Sequence, residues 1–98
     1  MRFARNVHFQ FKSGKETELN NLFEKEVLPM LRKQDGFQEE VTLFNPKGAS
    51  FISLWDNRKN AETYEKATYP QVIAKLTSFI VGTPTVETYE IASSYARA

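Results

Sequence analysis

The feature that most limits the fold of this chain is the order in which its hydrophobic patterns change period. Residues 3–12 alternate between apolar and polar side chains, which is typical of a strand with one buried face. A stripe with helical spacing follows, and the same change from strand to helix occurs again nearer the C-terminus. The other strand patterns cover residues 37–45, 50–55 and 85–92. The sequence therefore predicts the order β-α-β-β-α-β.

This order is that of the ferredoxin-like split βαβ arrangement in an α+β domain. It predicts a four-stranded antiparallel sheet with the helices on one face, in a single domain over residues 1–98. The opposite sheet face then lacks a cover, although large apolar side chains are expected there. We expect two copies to pack sheet to sheet as a homodimer, with the polar tail, residues 93–98, crossing to the partner. The apolar side chains assigned to the uncovered face are Phe44, Ile52, Leu54, Tyr89 and Ile91.

Short signals mark where the elements begin and end. Ser13 and Glu16 have the spacing of a capping box, which predicts that the first helix begins at Ser13. Pro29 predicts a kink in that helix, because it removes a backbone donor and crowds the preceding turn. Gly36 suits the left-handed position after the helix. The Asn-Pro-Lys-Gly run at residues 45–48 predicts a hairpin between the second and third strands.

Composition excludes several classes of function. Thirteen Lys and Arg against 12 Asp and Glu give a net charge of +1, which does not fit a nucleic-acid binder. The absence of cysteine excludes thiolate catalysis and cysteine-ligated metals, and the single histidine shows no metal-ligand spacing. No apolar run approaches the length of a membrane span or a secretory signal, so we expect a cytoplasmic protein that does not bind membranes. The 13% aromatic share indicates either a packed aromatic interior or a pocket for a flat ligand.

Four stretches carry a resemblance to a known family: residues 9–16, residues 28–37, residues 52–56 and the Tyr69-Pro70 pair. Their order and spacing resemble the antibiotic biosynthesis monooxygenase (ABM) domain, over nearly the whole chain. The resemblance implies a dimeric α+β barrel, in which two ferredoxin-like protomers join their sheets. It also implies an oxidoreductase: one branch of the family oxidises phenols or quinols without metal or flavin, which here means no cofactor. The expected substrate is a small aromatic or quinol, bound in a cavity between sheet and helices.

Two other functions are compared with this one. A haem-degrading branch of the family is similar in architecture, and Asn6 and Tyr64 fall near its Asn and Trp positions. Its iron-ligating His, however, corresponds to about Ala74, and alanine cannot ligate iron, so the resemblance disfavours haem degradation. A dimeric domain that binds a small ligand without catalysis, or a stress-linked domain, remains the alternative to the enzyme.

The candidate catalytic residues lie on the first strand. His8 is the only histidine, and therefore the only side chain whose ordinary pKa lies near neutrality. It is either a general base or a strand residue at the sheet interface of the dimer. Asn6 is the second candidate, and a structural role is the alternative for it too. The strand glutamates, among them Glu40 and Glu90, are expected to pair with Lys or Arg across strands and to have no catalytic role.

The candidate ligand-binding residues are one arginine and three aromatic side chains. Arg5 interrupts an otherwise apolar strand face, so it must be paired or reach a cavity, where it can bind an anion. Trp55 ends the third strand, where it either forms the wall of a pocket or anchors the core. Tyr64 and Tyr69 lie in the second helical region, and either hydroxyl can bond a ligand oxygen.

Overall fold

The computed structural model describes residues 1–97 and confirms the predicted fold class. In chain order the elements are β1 (Phe3–Phe11), α1 (Glu16–Leu22), a π-helical turn (Phe23–Val27), α2 (Leu28–Arg32), β2 (Phe37–Asn45), β3 (Gly48–Trp55), α3 (Arg58–Ala67), α4 (Tyr69–Leu76) and β4 (Ile80–Glu90). The sheet order is β2-β3-β1-β4, with antiparallel neighbours, and the helices cover one face. Within the described residues, no helix is both long enough and apolar enough to cross a membrane.

The core lies between the sheet and the helical layer. Alternate side chains of β1 and β3 point into it because successive strand residues face opposite sides. Burying this apolar surface is the main term that holds the helices on the sheet. The buried apolar residues other than alanine are Phe3, Val7, Phe9, Leu19, Phe23, Val27, Leu31, Phe51, Trp55, Tyr64, Val72 and Leu76.

The first helical region differs from its prediction at its start. The capping box is wrong: α1 begins at Glu16, after a turn in which the Lys15 amide donates to the Lys12 carbonyl at 3.2 Å. Gly14 has a positive φ of 77°, which no α-helical residue adopts, so the helix cannot include Ser13. The helix changes geometry just before Pro29, in the π-helical turn, where the Leu28 amide bonds the carbonyl of Phe23.

The last strand begins earlier than its pattern predicts. β4 begins at Ile80, whereas the predicted strand begins at residue 85. Residues 82–84 form a bulge opposite Phe9, because His8 pairs with Thr85 while Gln10 pairs with Val81. The strand tolerates Pro84 because β4 is at the edge of the sheet, where a missing amide breaks no outer ladder bond.

The sheet face opposite the helices is partly apolar, although not with all of the predicted residues. Ile52 and Leu54 face that side, but Phe44 does not: it pairs with Ala49 and packs edge-on against Phe11, with ring centroids 5.5 Å apart. Leu43 is exposed on the open face instead, with 49% of its surface accessible. The described part of the predicted tail, residues 93–97, is exposed and lies outside the sheet, and Ala98 lies outside the described residues.

The predicted hairpin is confirmed, since Asn45 pairs with Gly48 and the Lys47 amide donates to Asn45 Oδ1 at 2.7 Å. Gly36 has the predicted left-handed conformation, with φ of 80°. Gly48 carries two constraints at once. Its φ is 137°, and a Cβ there would overlap the backbone carbonyl of Phe9 in the central strand β1. The hairpin thus comes close to β1 only because this position has no side chain.

We expect Gly48→Ala to lower the free energy of unfolding by about 2–4 kcal/mol, because both the backbone angle and the strand contact resist a Cβ. Urea unfolding followed by far-UV circular dichroism measures the change. Gly14→Ala is the matched control. Its φ of 77° is also unfavourable for alanine, but no atom lies within 4 Å of the added Cβ. Equal losses for the two variants would contradict the steric argument.

Candidate functional site

Three polar side chains form a row across the buried face of the sheet. Arg5 on β1 pairs with Ser53 on β3, and Ser53 pairs with Glu40 on β2. Because neighbouring strands lie about 4.8 Å apart, the backbones of Arg5 and Glu40 are about 10 Å apart. The Trp55 indole donates to Ser53 Oγ at 2.9 Å. The row, which we call the polar row, therefore crosses an otherwise apolar core beneath the helices.

Arg5 is a charged side chain inside that core, with only 2% of its surface exposed. Its Nη2 donates to Glu65 Oε1 at 3.4 Å, and Glu65 is half exposed. The guanidinium carbon lies 4.5 Å from the Tyr69 ring centroid and 5.2 Å from that of Tyr64, within cation–π range. The Nε atom is buried and has no partner among residues 1–97. A buried donor without a partner is costly, so a ligand oxygen at Nε would be stabilised.

The two tyrosines are placed over Arg5 by the break between α3 and α4. Tyr64 is in α3, and Tyr69 begins α4 immediately before Pro70, whose fixed φ suits a first helical turn. Burial raises the pKa of Tyr64 to about 12, although the nearby Arg5 charge opposes the shift. Burial also raises the pKa of Tyr69. Both side chains are therefore neutral phenols near pH 7, able to donate a hydrogen bond to an anion.

Among residues 1–97, the carboxyl group of Glu40 has the pKa that is shifted most from its ordinary value. Burial raises its pKa from 4.5 to about 7, and the Thr42 hydroxyl, 3.0 Å from both oxygens, opposes this shift by hydrogen bonding. The expected cross-strand ion pair is wrong for Glu40, which forms no ion pair within residues 1–97. Glu90 does form an ion pair, at 3.0 Å, but its partner Arg58 lies on helix α3 and not on a neighbouring strand. A carboxyl group that titrates near neutrality can act as a general base.

Sequence reasoning missed Glu40, although a signal for it was present. The tight hairpin pairs Asn45 with Gly48, and counting outward from this turn places Glu40 opposite Ser53. Ser53 alternates with Trp55, which is wholly buried. The register of the hairpin therefore puts the Glu40 side chain on the helix side, two strands from Arg5.

The space around these residues has an inner and an outer part. The inner cavity has a volume of about 20 Å³, room for one water molecule, and is walled by Arg5, Glu40, Ser53, Tyr64 and Tyr69 together with apolar side chains. The outer cleft, of about 470 Å³, lies between β2 and the first helical region. Phe23 and Glu40 line both spaces, so Glu40 lies where the cleft meets the cavity. The apolar residues of the inner cavity are Val7, Phe23, Leu31, Phe51, Val72, Ile73 and Leu76.

The structure brings together only some of the residues singled out from the sequence. Arg5, Tyr64 and Tyr69 line one cavity. Trp55 is fully buried behind them, with its ring centroid 5.0 Å from that of Tyr64. His8 and Asn6 lie on the opposite face of the sheet from this cavity, because they alternate with Arg5 along β1.

The two candidate catalytic residues differ in their contacts. His8 Nδ1 is 3.0 Å from Ser50 Oγ, within hydrogen-bond distance. The Asn6 Oδ1 atom is buried and lacks a hydrogen-bond partner in the described part of the chain. Across residues 1–97, no three His, Cys, Asp or Glu side chains are grouped so that they could hold a metal ion.

Comparison with known proteins identifies relatives by structure alone. No protein-family model matches the chain. No curated protein matches its sequence. A monooxygenase from Streptomyces coelicolor, solved with the ligand nanaomycin D, is similar with a TM-score of 0.81 and 16% identity over 98% of this chain and 92% of its own. SnoaB, a cofactor-independent oxygenase from Streptomyces nogalater, has a TM-score of 0.77 and 12% identity over 98% of both chains.

A protein of unknown function from Nitrosomonas europaea, NE2512, has a TM-score of 0.76 and 17% identity over 99% of this chain and 95% of its own. At identities this low, the similarity establishes a common fold and leaves activity to be argued from the site. The resemblance to ABM domains noted in the sequence is thus confirmed for the fold. The chain has the ferredoxin-like α+β fold of these oxygenases.

Proposed function

We propose that this protein is a cofactor-independent monooxygenase that oxidises a small aromatic or quinol substrate in the cavity between sheet and helices. The observation that carries the proposal is the polar row. It places a buried arginine with a free donor beneath two tyrosine rings and two strands from Glu40, whose pKa is near 7. Two solved structures with this fold are a monooxygenase and a cofactor-independent oxygenase, which supports the same class of activity.

The substrate ring enters from the outer cleft, past Glu40 and Phe23, which both spaces share. The inner cavity of about 20 Å³ is too small for an aromatic ring, so its wall moves when the ring binds. The substrate hydroxyl then lies near Arg5 and Tyr64, and the ring contacts the apolar side chains around them. This orientation matches the polar atoms of the cavity with the polar end of the substrate.

Glu40 accepts the proton of the bound phenol, and Arg5 stabilises the phenolate that forms. The phenolate is electron-rich enough to reduce dioxygen without a cofactor. With 1-naphthol as the example, the ring carbon opposite the hydroxyl loses its hydrogen and gains one oxygen atom. The second oxygen atom leaves as water, and the products are 1,4-naphthoquinone and water. The substrate supplies all four electrons that dioxygen takes up.

The proposal includes the homodimer expected from the sequence. Strands β2 and β3 carry four apolar side chains on the open face of the sheet. Val41 pairs with Ile52, whereas Leu43 pairs with Ser50. Exposed apolar surface of this kind is typical of a protein interface. A second copy packed against it would close the sheet faces into a barrel and leave the helices outside. The four side chains are Val41, Leu43, Ile52 and Leu54.

We expect Arg5→Met to lower the rate of substrate-dependent oxygen uptake by about 10²–10³-fold, because it removes the cation that stabilises the phenolate. Methionine fills a similar volume without a buried charge, so the variant is expected to fold. An oxygen electrode with metal-free protein and a panel of naphthols and quinols measures the rate. Arg58→Met is the matched control, because Arg58 lies at the surface and its ion pair with Glu90 is exposed.

No oxygen uptake by the wild-type protein across the panel would contradict the proposal. If the naphthols bound but were not oxidised, the chain would be a ligand-binding domain instead. Equal activity of Arg5→Met and wild type would exclude Arg5 from the reaction.

We expect kcat/KM of the wild type to rise with pH through about 7, because only the ionised form of Glu40 accepts a proton. Glu40→Gln should lose this rise and about 10²–10⁴-fold in kcat/KM. The rates are measured from pH 5 to 9 with a phenol that ionises above this range. A pH dependence that survives in Glu40→Gln would assign the base to another group.

Protein stability gives an independent check on the Glu40 pKa. The folded pKa of about 7 lies above the ordinary value of 4.5, so the folded state binds the proton more tightly than the unfolded state. The wild type should therefore lose stability relative to Glu40→Gln as pH rises from about 4.5 to 7. After a reduction for partial exposure, the expected difference is about 1–2 kcal/mol. Thermal unfolding of both proteins across this range measures it.

Light scattering should give a mass about twice the 11.3 kDa of one chain. Leu43→Glu should shift the mass towards that of the monomer, because it places a charge on the open sheet face. Thr63→Glu, on an exposed position of α3, is the control and should leave the mass unchanged. A wild-type protein that is monomeric at micromolar concentration would rule out the sheet-to-sheet dimer.

A further inference from the structure

The carboxyl group of Glu40 has one hydrogen-bond donor within residues 1–97, the hydroxyl group of Thr42. The Thr42 Oγ1 atom lies 3.0 Å from Oε1 of Glu40 and 3.0 Å from Oε2. No Lys or Arg side chain of the described chain forms an ion pair with Glu40. The orientation of this carboxylate therefore depends on one neutral hydroxyl group.

The register of β2 places both side chains on the helix side of the sheet. Residues two apart in a strand point to the same face, and Thr42 pairs with Phe51, which is buried in the core. Thr42 lines the outer cleft, whereas Glu40 lines both the cleft and the inner cavity. A carboxylate has about four acceptor sites, so one hydroxyl donor leaves others free for the proton of a substrate.

We propose that Thr42 is a positioning residue for the transfer of the substrate proton. Its hydroxyl group holds the carboxylate of Glu40 where the cleft meets the cavity, and it favours the ionised form, which accepts the proton. The inference rests on the proposed function, because it takes Glu40 as the general base. Thr42 acts through Glu40 and not through contact with the reacting atoms.

A hydroxyl donor distinguishes the two forms of Glu40. Its hydrogen bond to a carboxylate is stronger than its bond to a neutral carboxyl group, because the first acceptor is charged. The bond therefore lowers the pKa of Glu40, against the larger effect of burial, which raises that pKa to about 7. Without the hydroxyl group the pKa would be higher still, and less of the base would be ionised at neutral pH.

The charged and titratable side chains of the other elements do not replace this hydroxyl group. Among the described residues, none of them forms an ion pair with Glu40, and burial and the Thr42 bond are what shift its pKa. A substitution at Thr42 leaves all of them in place. They are Arg5 on β1, Glu24 in the π-helical turn, Arg32 at the end of α2, Tyr64 on α3 and Tyr69 on α4.

Thr42→Val tests the proposal, because it removes the hydroxyl group and keeps a β-branched side chain of similar size. Carbon NMR of isotope-labelled glutamate from pH 4 to 10 measures the titration midpoint of Glu40, whose signal is identified by its absence in Glu40→Gln. We expect the midpoint to rise by about one pH unit in Thr42→Val. Thr42→Ser keeps a hydroxyl donor, so its midpoint should equal that of the wild type.

The pH dependence of kcat/KM separates ionisation from orientation. With a phenol that ionises above the measured range, the midpoint reports the ionisation of Glu40, and the plateau at high pH reports how well the ionised base is placed. Thr42→Val should raise the midpoint by the same unit and lower the plateau about tenfold. Thr42→Ser should restore both values.

Thr63→Val is the matched control. It makes the same substitution at an exposed position of α3, where the hydroxyl group donates to the Lys59 carbonyl at 3.0 Å. It should change neither the midpoint nor the plateau.

An unchanged NMR midpoint in Thr42→Val would overturn the inference and leave the proposed oxygenase standing. A wild-type plateau in Thr42→Val would overturn it too, because Glu40 would then be correctly placed without the hydroxyl group. Failure of the proposed function is seen separately, as the absence of oxygen uptake by the wild type, and the role of Thr42 in proton transfer would fail with it.

Discussion

The burial of one guanidinium determines much of the structure around the site. Arg5 lies on the central strand β1, where its neighbours on the same face are apolar. A charge in such a place needs compensation, and two tyrosine rings with one half-exposed carboxylate supply it. The compensation is incomplete, because Nε has no partner in the described residues. A hydrophobic residue would fit the core at lower cost, which makes a ligand the better explanation for an arginine here.

The sequence predicted the features that depend on short-range rules. The order of strands and helices follows from hydrophobic period, and the hairpin follows from the turn residues at positions 45–48. Arg5 was identifiable because one charged residue interrupts an apolar face. The start of α1 and the start of β4 were wrong, since a left-handed glycine and a bulge at the sheet edge overrode the local patterns. Both errors lie at element ends, where tertiary pairing decides.

The site was less predictable, because it depends on which side chains meet across the sheet. Glu40 resembles any other strand glutamate in sequence, and only the register of β2 and β3 places it on the helix side. Its raised pKa depends on burial by residues distant in the chain. From the sequence, Trp55 suited both the core and a pocket wall. Its full burial, its hydrogen bond to Ser53 and its contact with the Tyr64 ring place it in the core.

The position of Glu40 connects the outer cleft with the cavity that holds Arg5, because Glu40 lines both spaces. In the proposed reaction, Glu40 takes the proton of a bound phenol, so the negative charge moves from Glu40 to an oxygen beside the guanidinium. The total charge of the site does not change, so little further desolvation opposes the step. Electrostatic attraction favours this direction of transfer, because the charge moves towards the guanidinium. In the proposed reaction, the polar row therefore favours the phenolate over the phenol once the substrate hydroxyl has passed Glu40.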